Sequence, residues 1–283
     1  MVNLKIDGQK ISVPAGTTIL EAAEKVGIKI PHLCYLKDIN EIAACRVCLV
    51  EKVGMEKLVT ACNTEVEEGV EILTNSPRVR EVRRINVELI LSDHDCKCVQ
   101  CVKSGNCTLQ RISNDLGIIE QPYKNIHEVN RWDFDLPIIR EASKCVKCLR
   151  CVQICDKIQG LNIWDITGSG YRASVGVGNN KKITNADCAL CGQCITHCPV
   201  GALRERDDIG LLRDALADPD KITMVQIAPA IRTAWAEGID ISKTEATTGK
   251  LVSALRRIGF DYIFDTTYTA DLTIMEEGSE FIE

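Results

Sequence analysis

Residues 145 to 198 constrain this chain more than any other stretch. They read Cys145-x2-Cys148-x2-Cys151-x3-Cys155 and, after 32 intervening residues, Cys188-x2-Cys191-x2-Cys194-x3-Cys198-Pro199. Three thiols in one short loop, with a fourth four residues on, is a spacing that wraps a 4Fe–4S cube. The two-residue gaps bring three sulfurs to three corners and leave backbone N–H groups facing sulfur. Where two such runs occur, the fourth Cys of each ligates the cluster of the other. The spacing therefore predicts one cluster on Cys145, Cys148, Cys151 and Cys198, and a second on Cys188, Cys191, Cys194 and Cys155. Pro199 ends the second loop. Paired C-x2-C also builds structural zinc sites, but zinc takes only four ligands and leaves the third Cys of each run and the x3-Cys-Pro ending unexplained.

Sixteen cysteines in 283 residues are too many for ordinary usage, and the chain is too long for a secreted disulfide scaffold. The length suits two or three small domains. The first residues show neither an apolar signal core nor a twin-Arg, and no apolar stretch approaches the roughly 18 residues that span a bilayer. The expected setting is a reducing cytoplasm in which cysteines serve as metal ligands, with no membrane span. A net charge of −6 argues against a nucleic-acid partner. Aromatics make up 4%, so aliphatic side chains are expected to shield the clusters.

Alternation on both sides of Asp7-Gly8 predicts a hairpin. Thr18-Ile19-Leu20-Glu21 is a capping box before a short helix that Gly27 stops. Then come Cys34, Cys45, Cys48 and Cys62, spaced C-x10-C-x2-C-x13-C. Three ligands on one loop and a distant fourth suit a 2Fe–2S cluster, although the plant-type spacing is C-x4-C-x2-C; zinc is the alternative. Ser76-Pro77 opens a helix whose basic run, Arg78, Arg80, Arg83 and Arg84, is expected to face solvent. It leads to His94-x3-Cys98-x2-Cys101-x5-Cys107. Spacing alone leaves this group open between a Cys3His zinc site and a cluster. Cys96 is left over and is expected to be a free thiol near the site.

Residues 108 to 144 are expected to connect the cysteine groups and to carry a helix over 108–115. The 32 residues between the two runs predict an inserted hairpin around 164–172, with glycines serving turns rather than a phosphate loop. From residue 208 the pattern changes to helix 208–217, a buried strand over 221–227, a helix from about 230, a helix over 248–257 closed by Gly259, a strand at 262–265 and a helix over 271–282. Strand–helix–strand predicts α/β structure with a parallel pair, too small to stand as a complete sheet.

The order of these motifs resembles the catalytic subunit of iron-only (FeFe) hydrogenases over the whole chain. The wide first gap of the Cys34 group resembles the β-grasp 2Fe–2S domain of complex I and of NAD-linked and iron-only hydrogenases. The His94 pattern resembles the 4Fe–4S site that follows it there, and this resemblance selects iron–sulfur over zinc. Residues 226–232, Gln-Ile-Ala-Pro-Ala-Ile-Arg, residues 248–261, from Thr248-Gly249-Lys250-Leu251 to Gly259-Phe260-Asp261, and the stretches 264–266 and 270–277 resemble the entry to the hydrogenase catalytic domain. The fold class implied is a multi-domain α+β protein: a β-grasp 2Fe–2S ferredoxin domain (1–75), a His/Cys3 4Fe–4S domain (76–137), a two-cluster ferredoxin domain (138–207) and a partial α/β segment opening the catalytic domain (208–283).

The resemblance implies one 2Fe–2S cluster on Cys34, Cys45, Cys48 and Cys62, and three 4Fe–4S clusters, one of them on His94, Cys98, Cys101 and Cys107. The family's hydrogen-activating H-cluster uses four further cysteines. Here all but Cys96 are assigned, so that cluster is expected only in a continuation of the chain, and this portion by itself is expected to be inactive in hydrogen turnover. The implied role is electron relay to a flavin- and NAD(P)-binding partner subunit, with a small 2Fe–2S subunit and ferredoxin as further partners. The alternative is a relay subunit of a formate dehydrogenase, diaphorase or complex I-like assembly. A zinc-stabilised interaction protein is a third reading, which an iron assay separates from both.

Overall fold

The chain opens with the hairpin that alternation predicts. Strands β1 (Val2–Ile6) and β2 (Gln9–Val13) pair antiparallel, with Ile6 opposite Gln9. Asp7 and Gly8 take φ of 45° and 81°, the two left-handed residues a tight type I′ turn requires. Leu4, Ile6 and Val13 point into the core while Lys5 and Lys10 stay outside. Helix α1 (Ile19–Lys25) is held by the full capping box: the Thr18 hydroxyl accepts from the Glu21 N–H and the Glu21 carboxylate accepts from the Thr18 N–H. Strands β3 (Leu49–Lys52), β4 (Val59–Thr60) and β5 (Glu71–Leu73) complete a five-stranded mixed sheet in the order β2-β1-β5-β3-β4, with β1 and β5 parallel. Ile19, Leu20, Ala22 and Ala23 of α1 share one core with Leu4, Ile6 and Ile72 of the sheet.

Helix α2 (Pro77–Ser92) starts where Ser76 accepts from the Val79 N–H at 3.3 Å, with Pro77 in the first turn. Its basic run does not lie wholly in solvent. Arg78, Arg80 and Arg84 are exposed, but Arg83 is only 5% exposed. The cause is helical period: Val79, Arg83 and Val87 stand four apart on the buried stripe. The Arg83 guanidinium is accommodated there because backbone carbonyls meet it.

Helix α3 (Thr108–Asp115) places Leu109 and Ile112 in a second core with Leu33, Val47, Val87 and Val200. The structure, a computed structural model, describes residues 1–124 and 132–283, so residues 125–131 of the expected connecting segment lie outside the described residues. Strand β6 (Ile138–Arg140) leads to the first cysteine run and helix α4 (Arg150–Lys157). The expected insertion is a hairpin of β7 (Trp164–Thr167) and β8 (Ser174–Val177). The second run leads to the short helix α5 (Gln193–Thr196) and to β9 (Leu203–Glu205), which returns antiparallel to β6 with Arg140 opposite Leu203.

Met1–Arg206 forms one compact unit and Asp207–Glu283 another. The second contains α6 (Ile209–Ala217), β10 (Met224–Ile227), α7 (Pro229–Ala234), α8 (Thr248–Ile258), β11 (Tyr262–Asp265) and α9 (Thr266–Ile282). β10 and β11 pair in parallel, Met224 opposite Tyr262. The strand expected to be buried is not: Met224 is 66% exposed and only Ile227 of β10 is buried. Two strands cannot cover both faces of an apolar run. The last helix starts at Thr266 rather than 271, because the Asp265 carboxylate caps it by accepting from the Thr267 N–H at 3.0 Å. The threonines at 266, 267 and 269 carry a weak helix signal, which hides this first turn. Among the described residues no helix is long and apolar enough to cross a membrane.

Candidate metal centres

Cys34, Cys45, Cys48 and Cys62 are all buried. The loop carrying Cys45 and Cys48 bends around left-handed residues, Ala43 (φ 54°) and Arg46 (φ 51°), before entering β3. Non-glycine residues in this region cost of order 1 kcal/mol or more, and they cluster where a loop must wrap a group closely. The Ala61 N–H donates to the Cys48 carbonyl at 3.0 Å and so brings Cys62 beside that loop. The thiols stand within hydrogen-bond reach of one another, Cys34 with Cys45 and Cys62, and Cys48 with Cys62. Hydrogen bonds from Cys45 and Cys62 pull the Cys34 thiol far down, while Cys45 and Cys62 are driven up. Four sulfurs this close do not all ionise without a cation among them.

The two cysteine runs fold alike. In the first, Lys147 (φ 53°) and Leu149 (φ 65°) flank Cys148; in the second, Leu190 (φ 52°) and Gly192 (φ 73°) flank Cys191. This paired left-handed pattern curls each loop so that N–H groups turn toward sulfur, as where Lys147 donates to Cys145 Sγ at 3.4 Å. A helix follows each loop, and Cys151 and Cys155 sit four apart along α4, about 6 Å in rise. That step carries the fourth Cys of the run away from the first three. Cys145, Cys148, Cys151 and Cys198 line one pocket, with Leu149, Val175 and Val200 among its apolar walls. The charges of Cys188, Cys191 and Cys155 act on Cys194. Burial pushes both Cys148 and Cys194 up to about 12, so binding iron there must displace a proton from each. Shielding is not wholly aliphatic: Trp164 lines the same pocket, donates a hydrogen bond to Cys194 and stacks on Trp132 at 6.0 Å.

His94, Cys98, Cys101 and Cys107 line a further pocket. His94 is buried, and the loop is secured where the Asp95 N–H donates to the Ser143 carbonyl at 2.8 Å. Gly201 forms part of the wall. A Cβ built there would lie 2.3 Å from Cys101 Sγ, so only glycine lets the backbone come so close to that sulfur. Cys96 is exposed, its thiol turned to the His94 carbonyl at 3.4 Å.

Two contacts that spacing did not reveal join these groups. The segment from Cys198 to Leu203 stands between two cavities: Cys198, Val200 and Ala202 line the larger, and Gly201 lines the one holding His94. The Thr108 N–H donates to the Pro199 carbonyl at 3.2 Å, fixing Cys107 against the same segment. Asn40 is fully buried, and its Nδ2 donates to the Cys34 carbonyl at 2.7 Å and to the Cys148 carbonyl at 2.9 Å. One amide thus ties the ligand loop of the first group to that of the run beginning at Cys145. Arg150 reinforces it from α4, donating to the carbonyls of Cys34 at 3.3 Å and Tyr35 at 2.9 Å. An Asn at position 40 carries no signal in sequence beyond turn preference.

The donor sets fit polynuclear clusters. They are thiolate-rich, line largely apolar pockets and include a glycine cradle against one sulfur.

Comparison with known proteins places these groups in named families. Residues 1–77 match the 2Fe-2S iron-sulfur cluster binding domain, residues 83–122 the NADH-ubiquinone oxidoreductase-G iron-sulfur binding region, and residues 137–204 the ferredoxin-like domain of NADH-quinone oxidoreductase subunit 3. Residues 221–283 match the C-terminal domain of the iron only hydrogenase large subunit. The chain is 43% identical over its full length to the NADP-reducing hydrogenase subunit HndD of Solidesulfovibrio fructosivorans, covering 49% of that protein. It is 34% identical, again over its full length, to iron hydrogenase 1 of Clostridium pasteurianum, covering 50% of it. A solved chain of an NAD+-reducing NiFe hydrogenase shares the fold at a TM-score of 0.67 and 23% identity, over 87% of this chain and 99% of that one. The chain spans about half the length of the hydrogenases it matches end to end. With iron–sulfur domain models matched at residues 1–77, 83–122 and 137–204 and an iron only hydrogenase large-subunit domain matched at 221–283, the chain is similar along its whole length to part of these iron-only hydrogenase subunits.

Proposed function

We propose that this chain is the electron-relay portion of a hydrogenase catalytic subunit, carrying one 2Fe–2S cluster and three 4Fe–4S clusters. The 2Fe–2S cluster is assigned to Cys34, Cys45, Cys48 and Cys62. The 4Fe–4S clusters are assigned to His94, Cys98, Cys101 and Cys107, to Cys145, Cys148, Cys151 and Cys198, and to Cys188, Cys191, Cys194 and Cys155. The observation that carries this reading is the joining of neighbouring donor groups, by Asn40 between Cys34 and Cys148 and by the Cys198–Leu203 segment between two cavities. Bound in these sites, the clusters supply one-electron redox steps. The chain's own part is to hold the sites in contact, keep water out with Val47, Val87, Leu109 and Val200, and present peptide N–H groups to sulfur.

Electrons are proposed to pass between an H-cluster outside this sequence and a flavin/NAD(P)-binding subunit, with a small 2Fe–2S subunit and ferredoxin as further partners, in the cytoplasm. The name of HndD supports the NADP link. A second reading is a relay in a complex that does not act on hydrogen. It is favoured by the 36% identity over 204 residues to the NADPH-Fe(3+) oxidoreductase subunit alpha of Geobacter sulfurreducens, which matches 72% of this chain. The match of residues 221–283 weighs against it.

The test is iron, zinc and acid-labile sulfide per chain after anaerobic purification. About fourteen irons per chain support the assignment; zinc with iron near zero refutes it. Hydrogen-dependent NAD(P) reduction by the intact assembly then separates the two relay readings.

A further inference from the structure

Arg83 is a buried cation whose partners are unusual. Its Nε donates to the Val47 carbonyl at 2.9 Å, and Nη2 donates to the carbonyls of Leu49 at 2.8 Å and Thr74 at 3.1 Å. Val47 and Leu49 are the residues on either side of Cys48, so the guanidinium grips the peptide units that carry that proposed ligand. Among the described residues no carboxylate pairs with Arg83; burial pulls the guanidinium below its ordinary range, and the charge that opposes this is that of Cys48. Its helix neighbour Arg84, by contrast, is exposed and bonded to Glu88 at 2.7 Å.

An unpaired buried cation costs several kcal/mol unless an anion compensates it. A four-thiolate 2Fe–2S site is that anion: two ferric ions, two sulfides and four thiolates sum to −2, and reduction takes it to −3. A fixed positive charge stabilises the −3 form more than the −2 form.

We propose that Arg83 is the counter-cation of the Cys34/Cys45/Cys48/Cys62 site and sets its reduction potential higher than its four thiolates alone would. This rests on the ligand assignment above. A unit charge on the order of 10 Å away, at an effective dielectric of ~20, biases such an equilibrium about tenfold. Val47, Leu49 and Thr74 act here only as acceptors that hold the guanidinium in place, so Arg83 is a positioning and tuning residue rather than a catalytic one.

The experiment is a redox titration of the 2Fe–2S electron paramagnetic resonance (EPR) signal in the full chain, with the 4Fe–4S signals as internal controls. The variants are Arg83→Met, Arg83→Lys and Arg84→Gln. Arg83→Met is expected to lower the 2Fe–2S potential by about tenfold in the reduction equilibrium, about 59 mV for one electron. Arg83→Lys, which keeps the charge but not the fork, is expected to stay near wild type. Arg84→Gln, screened by water, is expected to leave the potential unchanged. An Arg83→Met protein with an intact cluster and the wild-type potential overturns the proposal. If Arg83→Met does not retain the cluster, Arg83→Lys decides: retention at the wild-type potential supports the charge, whereas loss of the cluster assigns Arg83 to hydrogen bonding alone and overturns it. Absence of any 2Fe–2S signal in the wild-type chain refutes the ligand assignment instead.

Discussion

Replacing Gly201 by alanine tests whether the wall between two of the proposed cluster sites is as tight as its geometry indicates. The added Cβ would stand 2.3 Å from Cys101 Sγ, where ordinary contact begins at 3.4 Å, and would also meet Val102 Cγ2 at 3.5 Å. Something must therefore move by roughly 1 Å, a small-to-large change that costs about 1–3 kcal/mol in a packed interior. A free Cys101 thiol would turn aside for about 0.5–1.5 kcal/mol of rotamer strain. A sulfur bonded to iron has no such freedom, since metal–ligand distances hold to about 0.2 Å. If Cys101 is a ligand, the alanine variant is expected to lose the cluster beside His94 and to fall from about fourteen irons to about ten, with the 2Fe–2S EPR signal unchanged. Gly192→Ala is the control. Gly192 has φ of 73° with open space around it, and Leu149 holds the same place in the other run with a side chain. That variant is expected to cost about 1 kcal/mol of left-handed strain and no iron. Full iron and an unchanged set of EPR signals in Gly201→Ala would refute the reasoning.

Asn40→Ala takes the Asn40 donor from the Cys148 carbonyl and leaves the Cys34 carbonyl with the longer bond from Arg150, and is expected to cost about 1–3 kcal/mol in denaturant unfolding; a change under about 0.5 kcal/mol would contradict the bridging role. His94→Cys is expected to keep a 4Fe–4S signal and lower its potential, because a thiolate adds negative charge where an imidazole is neutral; an unmoved potential counts against ligation. Cys96→Ala is expected to retain every cluster, measured as iron and labile sulfide. Glu141 opposes its own burial through hydrogen bonds to Lys144 at 2.5 Å and Arg204 at 2.8 Å, which hold its carboxyl below the usual range. A depressed carboxylate stabilises the fold above its unfolded pKa and loses that contribution as pH falls through the folded value. Glu141→Gln should therefore be less stable than wild type at pH 7, and the difference in a pH series of unfolding midpoints should shrink below about pH 4.

Much of the local structure was legible in sequence because short-range chemistry dictates it. The Asp7-Gly8 turn, the Thr18–Glu21 capping box, the Ser76-Pro77 helix start and the Gly259 stop each need only residues within four positions. The cysteine runs belong to the same class, since a cube a few ångströms across must be reached from one loop. The parallel pairing of β10 with β11 was also legible, but its burial was not, because what covers a strand's faces is not written within the strand.

What only the tertiary structure decided is how the groups meet. Asn40 and Cys148 are 108 positions apart, and Gly201 and Cys101 are 100 apart, yet each pair is in direct contact. Nothing in a local pattern distinguishes such an Asn from a turn residue, and the helical period that puts Arg83 on the stripe of Val79 and Val87 does not say which carbonyls receive it. The sequence alone determined the chemistry of the donors and their spacing within each loop. Packing of α2, α3 and the two cysteine runs around one core determined which loops touch, because hydrophobic burial acts on whole faces without regard to separation along the chain.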